Sequence, residues 1–342
     1  MRTQQLPSRV SGGFSVIELM VAIAVSLILL AGVVAMFANS RRSYETTERF
    51  SRVQETGRFA LDTLTRDIRT SGFAGCARAA NYVSTSLATT SVAWNFLEGA
   101  VRGFEAGAAD MASSGVSPAT GTDVLVLRRP RPDAQPLRLT ANMTGATAAL
   151  TVQNLTTGVR TDDVALAYSC EAQAYFHVSS FASGTVEHAV PGTAPTTGPY
   201  NSVNTLSYAF RTGAEVVPVE TVVYYIAASS QTTGVNSLWR RIGDNAVDEL
   251  VEGVDRMELE FGVDTNGDFV VDNYQSASAV TNWGNVLSVS LALLVRSNDA
   301  YDAQESRTYQ LLSSTYTAPA NDRYVRQVFE ATASIRNRIP VT

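Results

Sequence analysis

The feature that most constrains this chain is one uninterrupted apolar run, FSVIELMVAIAVSLILLAGVVAMFA, from Phe14 to Ala38. About 20 consecutive apolar residues suffice for a helix to cross a bilayer, so the run predicts a transmembrane helix. A secretory signal peptide has a shorter apolar region, with its small-residue cleavage site after it. Here the small pair Gly12-Gly13 precedes the run. Cleavage at this point therefore removes residues 1–13 and keeps the helix.

Glu18 is the one charged residue within the apolar run. A carboxylate inside a membrane helix costs about 2.5–3.5 kcal/mol on insertion scales, so it needs a partner. One interpretation is a side chain near the membrane interface that reaches for lipid headgroups. The other is an ion pair with an α-amino group, because cleavage after Gly13 creates an amine at Phe14. A neighbouring subunit in a staggered position can bring its amine to this carboxylate.

The segment Gly13-Phe14-Ser15-Val16-Ile17-Glu18-Leu19, with a short basic leader before it, resembles the class III signal of type IV prepilins and type II secretion pseudopilins. The resemblance implies that a prepilin peptidase cuts after Gly13 and methylates the new N-terminal Phe14. It also implies that Glu18 helps to recruit and register the subunit during assembly. Ser15 stands where many members have Thr.

The helix is predicted to continue beyond the membrane, because residues 40–70 contain no proline and one glycine, Gly57. Apolar residues recur there at helical spacing of three and four; they are Phe50, Val53, Leu61, Leu64 and Ile68. We expect one helix of about 55 residues that ends at Ser71-Gly72. The predicted organisation is a cleaved leader (1–13), a transmembrane helix (14–38), its periplasmic continuation (39–71) and a periplasmic head (72–342).

The head is predicted to be rich in β-strands. Five runs alternate apolar and polar residues or are β-branched, as strands are; they are Thr122–Arg129, Thr221–Ala228, Arg256–Val263, Val286–Arg296 and Tyr324–Ile335. We therefore predict an α+β, pilin-like fold, with one long N-terminal helix and an antiparallel head. Residues 80–122 and 141–162 show little periodicity.

Three further segments resemble the PilW family of minor pilins: GFAGCA at Gly72–Ala77, the stretch Glu249–Asp268, and the closing RNR at Arg336–Arg338. The resemblance implies a structural subunit of a type IV pilus that primes assembly and stays at or near the filament tip. It implies as partners the other minor pilins, the major pilin, the prepilin peptidase, the inner-membrane assembly machinery and a tip adhesin. It implies an inner-membrane protein with a periplasmic head that later enters the pilus at the cell surface.

Cys76 and Cys170 are the only cysteines in the sequence. The periplasm is oxidising, so a head in that compartment favours a structural disulfide between them. The alternative is a pair of buried, unpaired thiols. A redox-active pair is not expected, because the sequence has no Cys-x-x-Cys motif.

A second candidate site is the loop Asp264-Thr-Asn-Gly-Asp-Phe-Val-Val-Asp272. It places oxygen side chains at positions 1, 3, 5 and 9 and a backbone carbonyl at position 7, in the manner of a Ca²⁺-binding loop; the ligands would be Asp264, Asn266, Asp268, Val270 and Asp272. Gln275 stands where an EF-hand has its bidentate Glu. The alternative is an Asx-rich turn between two strands. No other cofactor is expected.

Other functions are less well supported by the sequence. The net charge is −6, whereas DNA binding needs a basic face. A DNA-uptake pilin would require Arg128, Arg129 and Arg131 to share an exposed surface. No sequence motif for catalysis is present, so we do not expect an enzyme. A minor pseudopilin of a type II secretion system is the main alternative, because it shares the N-terminal signal.

Overall fold

The computed structural model describes residues 15–73, 75, 82–88, 91–155, 157–196, 198–244, 246–300 and 306–337. One helix, α1, runs from Val16 to Thr70, and it ends directly before Ser71-Gly72. Gly72 has a φ of +69°, and a Cβ there would lie 2.6 Å from the Cβ of Ala100. Glycine at this position therefore lets the chain leave the helix where no other residue fits without strain.

The chain divides into two compact units, residues 1–51 and residues 52–342. The first contains the N-terminal part of α1. The second, the head unit, contains the remaining turns of α1 and all strands that the structure describes. We call residues 52–70 of α1 the docked segment.

The head unit is built mainly from strands. In chain order they are β1 (Tyr82–Thr85), β2 (Val101–Phe104), β3 (Val124–Pro130), β4 (Leu137–Arg138), β5 (Leu150–Thr151), β6 (Val164–Tyr168), β7 (Ala172–His177), β8 (Ser180–Ala182), β9 (Thr185–Glu187), β10 (Glu215–Ala228), β11 (Asn236–Ile242), β12 (Ala246–Glu252), β13 (Val254–Val263), β14 (Asn273–Gln275), β15 (Val286–Arg296), β16 (Thr308–Leu311), β17 (Ser314–Thr317) and β18 (Arg326–Ser334). Short 3₁₀ turns lie at Phe96–Glu98, Met111–Ser114, Ala277–Ala279 and Trp283–Asn285.

The larger sheet has the strand order β1-β7-β6-β10-β11-β12. Its central strand, β10, pairs with β4 and β6 through its first residues and with β3 and β11 through its later ones, and β2 pairs with β3. All these pairs are antiparallel except β1 with β7, which is parallel.

A second sheet has the order β14-β13-β15-β18 and is antiparallel throughout. β16 pairs with β17 in a separate hairpin, and β5, β9 and β8 form a small sheet. The five strands predicted from the sequence correspond to β3, β10, β13, β15 and β18, which confirms the predicted fold class.

The main core lies where the docked segment meets both large sheets. Val53, Ala60, Leu64 and Ile68 of the helix are buried against Leu125 and Tyr224 of the larger sheet and against Leu291 and Leu293 of the smaller one. Burial of one Leu or Ile side chain is worth about 1.5–3 kcal/mol. The head is thus assembled around the end of α1.

Candidate functional site

The predicted processing site, Gly13 and Phe14, lies outside the described residues. Immediately after it, the start of α1 is closed by two side chains. The backbone nitrogen of Ser15 donates to Glu18 Oε2 at 3.0 Å, and the backbone nitrogen of Ile17 donates to Ser15 Oγ at 3.4 Å. The first helical bond runs from Leu19 N to Ser15 O, at 3.1 Å.

This arrangement is the Glu half of a capping box, in which a Ser and a Glu three residues later satisfy the free N–H groups of a helix start. The motif Ser15-x-x-Glu18 can be read from the sequence, where Glu18 was interpreted as an interfacial side chain or as an ion-pair partner and not as a helix cap. Glu18 therefore has two available roles. It holds the first turn of its own helix, and it presents a carboxylate at the end of an apolar segment.

The first half of α1 is apolar and exposed. Within the described residues, α1 is the one helix that is long and apolar enough to cross a membrane, and the most apolar part of it has no buried residue. Val16, Ile28, Met36 and Phe37 each expose more than two thirds of their surface. Such an uncovered apolar surface requires a lipid or protein partner.

The docked segment contacts the head closely at Gly57. A Cβ at this position would lie 2.3 Å from the ring of Phe329 on β18, so only glycine leaves room for that ring. Of the predicted apolar stripe, Val53, Leu64 and Ile68 are buried, and Leu61 is partly buried. Phe50 is 43% exposed and lies outside the head unit.

A buried network of charged groups also holds the docked segment. The carboxylate of Asp67, 3% exposed, accepts a hydrogen bond from the hydroxyl of Tyr224 and forms an ion pair with Arg129. Arg129 Nε also donates to Glu220 Oε1 at 2.9 Å. Burial raises the pKa of Tyr224 and that of Glu220. Tyr224 lies in the run Thr221–Ala228, which the sequence predicted to be a strand, but its bond to α1 was not anticipated.

The arginines that a DNA-uptake role would need are not exposed together. Arg128 is 4% exposed, and its guanidinium donates to the carbonyls of Gly99 and Val92 and to Glu98 Oε2. Burial lowers its pKa to about 10. Arg131 is paired with Asp163 at 2.6 Å. Because Arg129 is buried as well, these three residues form no basic face.

The loop from Asp264 to Asp272 is held by its own hydrogen bonds. Asp264 Oδ1 accepts from the backbone nitrogens of Asn266 and Gly267, and Oδ2 accepts from that of Phe269 at 2.9 Å. Asp272 accepts from Thr265, whose hydrogen bonds lower the Asp272 pKa. Among the described residues, no three His, Cys, Asp or Glu side chains are arranged to hold a metal ion. Ca²⁺ binding stays a prediction.

Cys170 lies in the turn between β6 and β7 and is disulfide-bonded. Cys76, its predicted partner, lies outside the described residues, so the pairing stays a prediction.

The two histidines take no part in a catalytic arrangement with nearby groups of the described chain. His188 is 1% exposed, contacts the ring of Phe176 edge-on, and its Nε2 lies 3.0 Å from the carbonyl oxygen of Ala148. The Nε2 of His177 lies 3.4 Å from a carboxylate oxygen of Asp162, and burial lowers its pKa. Both contacts are of the kind that packing residues make.

Comparison with known families gives two matches, one near each end of the chain. The model for the prokaryotic N-terminal methylation motif matches residues 8–34, which include the predicted cleavage junction and Glu18. The model for type IV pilus-assembly protein W matches residues 223–337, from within β10 to the end of the described head. Neither the curated proteins nor the solved structures give a match. The two family matches and the pilin-like fold support a type IV prepilin that is similar to the PilW family over the last third of the chain.

Proposed function

We propose that this chain is a minor pilin, a structural subunit without catalytic activity that primes assembly of a type IV pilus and stays at or near its tip. The observation that carries the proposal is the difference between the two parts of α1. Its first half is apolar and exposed, with a single carboxylate at its start, and its docked segment is buried in a strand-rich head. A helix of this kind can serve first as a membrane anchor and then as the filament core.

In this proposal the protein is a single-pass inner-membrane protein with its head in the periplasm. The peptidase cuts after Gly13 and methylates Phe14, and the assembly machinery then moves the subunit into the pilus. Its partners are the other minor pilins, the major pilin and a tip adhesin. Loss of the subunit would therefore reduce adhesion and twitching motility.

A role in DNA uptake is disfavoured, because Arg128 and Arg129 are buried and ion-paired. A pseudopilin of a type II secretion system would share the N-terminal features. The experiment below therefore distinguishes this role from that of a minor pilin.

The decisive experiment is deletion of the gene, complemented by the wild-type copy, with surface pili and protein secretion scored separately. Loss of pili with normal secretion supports the minor-pilin role. Loss of secretion with normal pili overturns it in favour of the pseudopilin.

Intact-mass analysis of the protein from membranes and from sheared pili tests its processing. We expect a mature chain that begins at N-methyl-Phe14. A membrane form that keeps Met1, or one cut after Ala38, contradicts the prepilin pathway.

A further inference from the structure

A pocket opens where β6 ends and β10 begins. The antiparallel register places Tyr168, the last residue of β6, opposite Glu215, the first residue of β10, and the hydroxyl of Tyr168 donates to Glu215 Oε2. The turn after β6 and the segment before β10 form the walls of this pocket, whose volume is about 640 Å³. Pockets of this size are typical of sites for small ligands. The function proposed above does not use the pocket.

Aromatic rings form one side of the pocket. Tyr208, which lines it, packs edge-on against Phe210 with 5.2 Å between the ring centroids. The ring of Tyr82 lies 5.6 Å from that of Tyr208, at an angle of 34°, and is 55% exposed, so the aromatic surface continues from the pocket towards solvent. Ser207, directly before Tyr208, has a φ of +61°. Non-glycine residues in this strained conformation are concentrated at ligand sites.

The polar groups of the pocket carry both signs of charge. Glu171 Oε2 accepts a hydrogen bond of 2.6 Å from the hydroxyl of Tyr208. Glu215 Oε1 accepts a bond of 3.2 Å from Arg138, at the edge of the pocket. Arg211 also lines the pocket, is exposed, and has no hydrogen bond or ion pair from its guanidinium to any described residue. Two carboxylates and two guanidinium groups leave the site without net charge.

Two of these groups keep hydrogen-bonding capacity for a ligand. Glu171 Oε1 accepts no hydrogen bond within the described part of the chain, and the N–H donors of Arg211 are free. Sugar hydroxyls can donate to such a carboxylate and accept from such a guanidinium. The apolar C–H face of a sugar ring can pack on an aromatic ring. A charged ligand fits less well, because a ligand of either sign would meet a like charge in the pocket.

We propose that this pocket binds a neutral saccharide. The rings of Tyr82 and Tyr208 pack against the sugar, Glu171 accepts from one of its hydroxyls, and Arg211 donates to hydroxyl oxygens. This inference goes beyond the proposed function, which assigns adhesion to a separate tip adhesin, and it does not depend on that function. It gives the head a binding activity of its own towards surface carbohydrate.

The test measures saccharide binding to the full-length protein by saturation-transfer NMR. The protein is held in phosphatidylcholine nanodiscs, because detergents with sugar headgroups would compete for the pocket. The neutral probes are maltotriose, cellotriose, chitotriose and mannotriose, and the charged probes are sialyllactose and the chitosan trimer. We expect at least one neutral probe to bind with millimolar affinity and to exceed both charged probes. Absence of neutral binding, or stronger binding of a charged probe, overturns the proposal.

Two variants locate the binding. Arg211→Ala should weaken it about tenfold, because a bond from a charged donor is lost, and Arg307→Ala, at an exposed arginine elsewhere on the head, should have no effect. Tyr82→Ala should also weaken binding, and Tyr44→Ala, at an exposed tyrosine of α1, should not. All four side chains are exposed, so the fold should be retained. Wild-type affinity in either pocket variant overturns the assignment.

Incorporation into pili separates this inference from the proposed function. Arg211→Ala should enter sheared pili at the wild-type level, because the pocket serves a ligand and not assembly. Its loss from pili would identify the pocket as a contact between subunits and overturn the saccharide proposal. Absence of the wild-type protein from pili would instead refute the proposed function, and saccharide binding in nanodiscs would be unaffected.

Discussion

The carboxylate of Glu18 accepts a hydrogen bond of 3.0 Å from the backbone nitrogen of Ser15, so the helix start is capped within its own chain. This bond separates two functions that one residue can perform. Gln can replace Glu in a capping box because its amide oxygen accepts the same bond. Gln cannot, however, form an ion pair with the amine of a neighbouring Phe14.

We therefore predict that Glu18→Gln and Glu18→Val will both insert and be cleaved normally, and that both will fail to enter pili. Insertion is preserved because each change removes a charge from an apolar helix, and cleavage is preserved because the Gly13/Phe14 junction is unchanged. The measurement compares membrane level, mature N-terminus and abundance in sheared pili. Rescue by Gln but not by Val would mean that capping, and not the charge, is what assembly requires.

The Asp67 network makes a prediction about stability. Asp67→Ala should lower the free energy of unfolding by about 3–5 kcal/mol, because it leaves Arg129 buried with only part of its charge compensated. Tyr224→Phe should cost about 1.5–3 kcal/mol, since it removes one hydrogen bond to a charged group. Denaturant unfolding of the full chain in detergent, followed by tryptophan fluorescence, measures both.

Asp62→Ala is the control for this series, because Asp62 is exposed on the same helix. Its effect should be within about 0.5 kcal/mol. An Asp67→Ala variant as stable as Asp62→Ala would show that the network does not hold the docked segment.

Asp123 predicts a dependence of stability on pH. Its buried carboxylate accepts bonds of 2.9 Å from the backbone nitrogens of Ala106 and Leu259, and burial raises its pKa to about 7. Between about pH 4 and pH 7 the unfolded chain is ionised at this residue while the folded chain retains the proton. The contribution of Asp123 to the free energy of unfolding therefore falls as pH rises from about 4 to about 7, by up to about 1.4 kcal/mol per pH unit. Above about pH 7 this contribution no longer changes.

The measurement is the difference in unfolding free energy between the wild type and Asp123→Asn from pH 4 to pH 8. The Asn side chain does not titrate, so subtraction isolates the contribution of Asp123. As pH rises to about 7, the wild type should lose unfolding free energy relative to Asp123→Asn, and above that pH the difference should stay constant. A difference that is constant over the whole range would contradict the raised pKa.

The Asp264–Asp272 loop gives a prediction about metal. If it binds Ca²⁺, millimolar Ca²⁺ should raise the melting temperature by mass action on the folded state. Asp268→Asn with Asp272→Asn should abolish the rise. These residues are better targets than Asp264, whose carboxylate is buried and bonded to three backbone nitrogens of the loop. An unchanged wild-type melting temperature would identify the loop as an Asx-rich turn.

Cys76 and Cys170 give a prediction about redox state. Protein purified without reductant should show no free thiol after denaturation, and two after reduction. In the loop-entropy model, a closed loop of about 100 residues contributes about 4.7 kcal/mol. Alkylation of both cysteines in unreduced, denatured protein would contradict the pairing.

The local patterns of the sequence were sufficient to predict the regular elements of this protein. The uninterrupted apolar run and the absence of proline determine α1, and Ser71-Gly72 marks its end. The run predicted as a strand at residues 286–296 has the same bounds as β15. The capping box of Ser15 and Glu18 was also available from local spacing. Such signals are readable because helix and strand periodicity and helix capping depend on neighbours a few residues away.

Tertiary structure alone decided which distant groups meet. No local pattern indicates that Asp67 of the helix would bond to Tyr224, 157 residues away, or that Arg128 and Arg129 would be buried rather than exposed. Nor does it indicate that β18 lies at an edge, since strand order depends on which sheet each strand joins. A charge can be buried only where folding supplies its partner, and a backbone edge stays free only where no strand of the chain arrives.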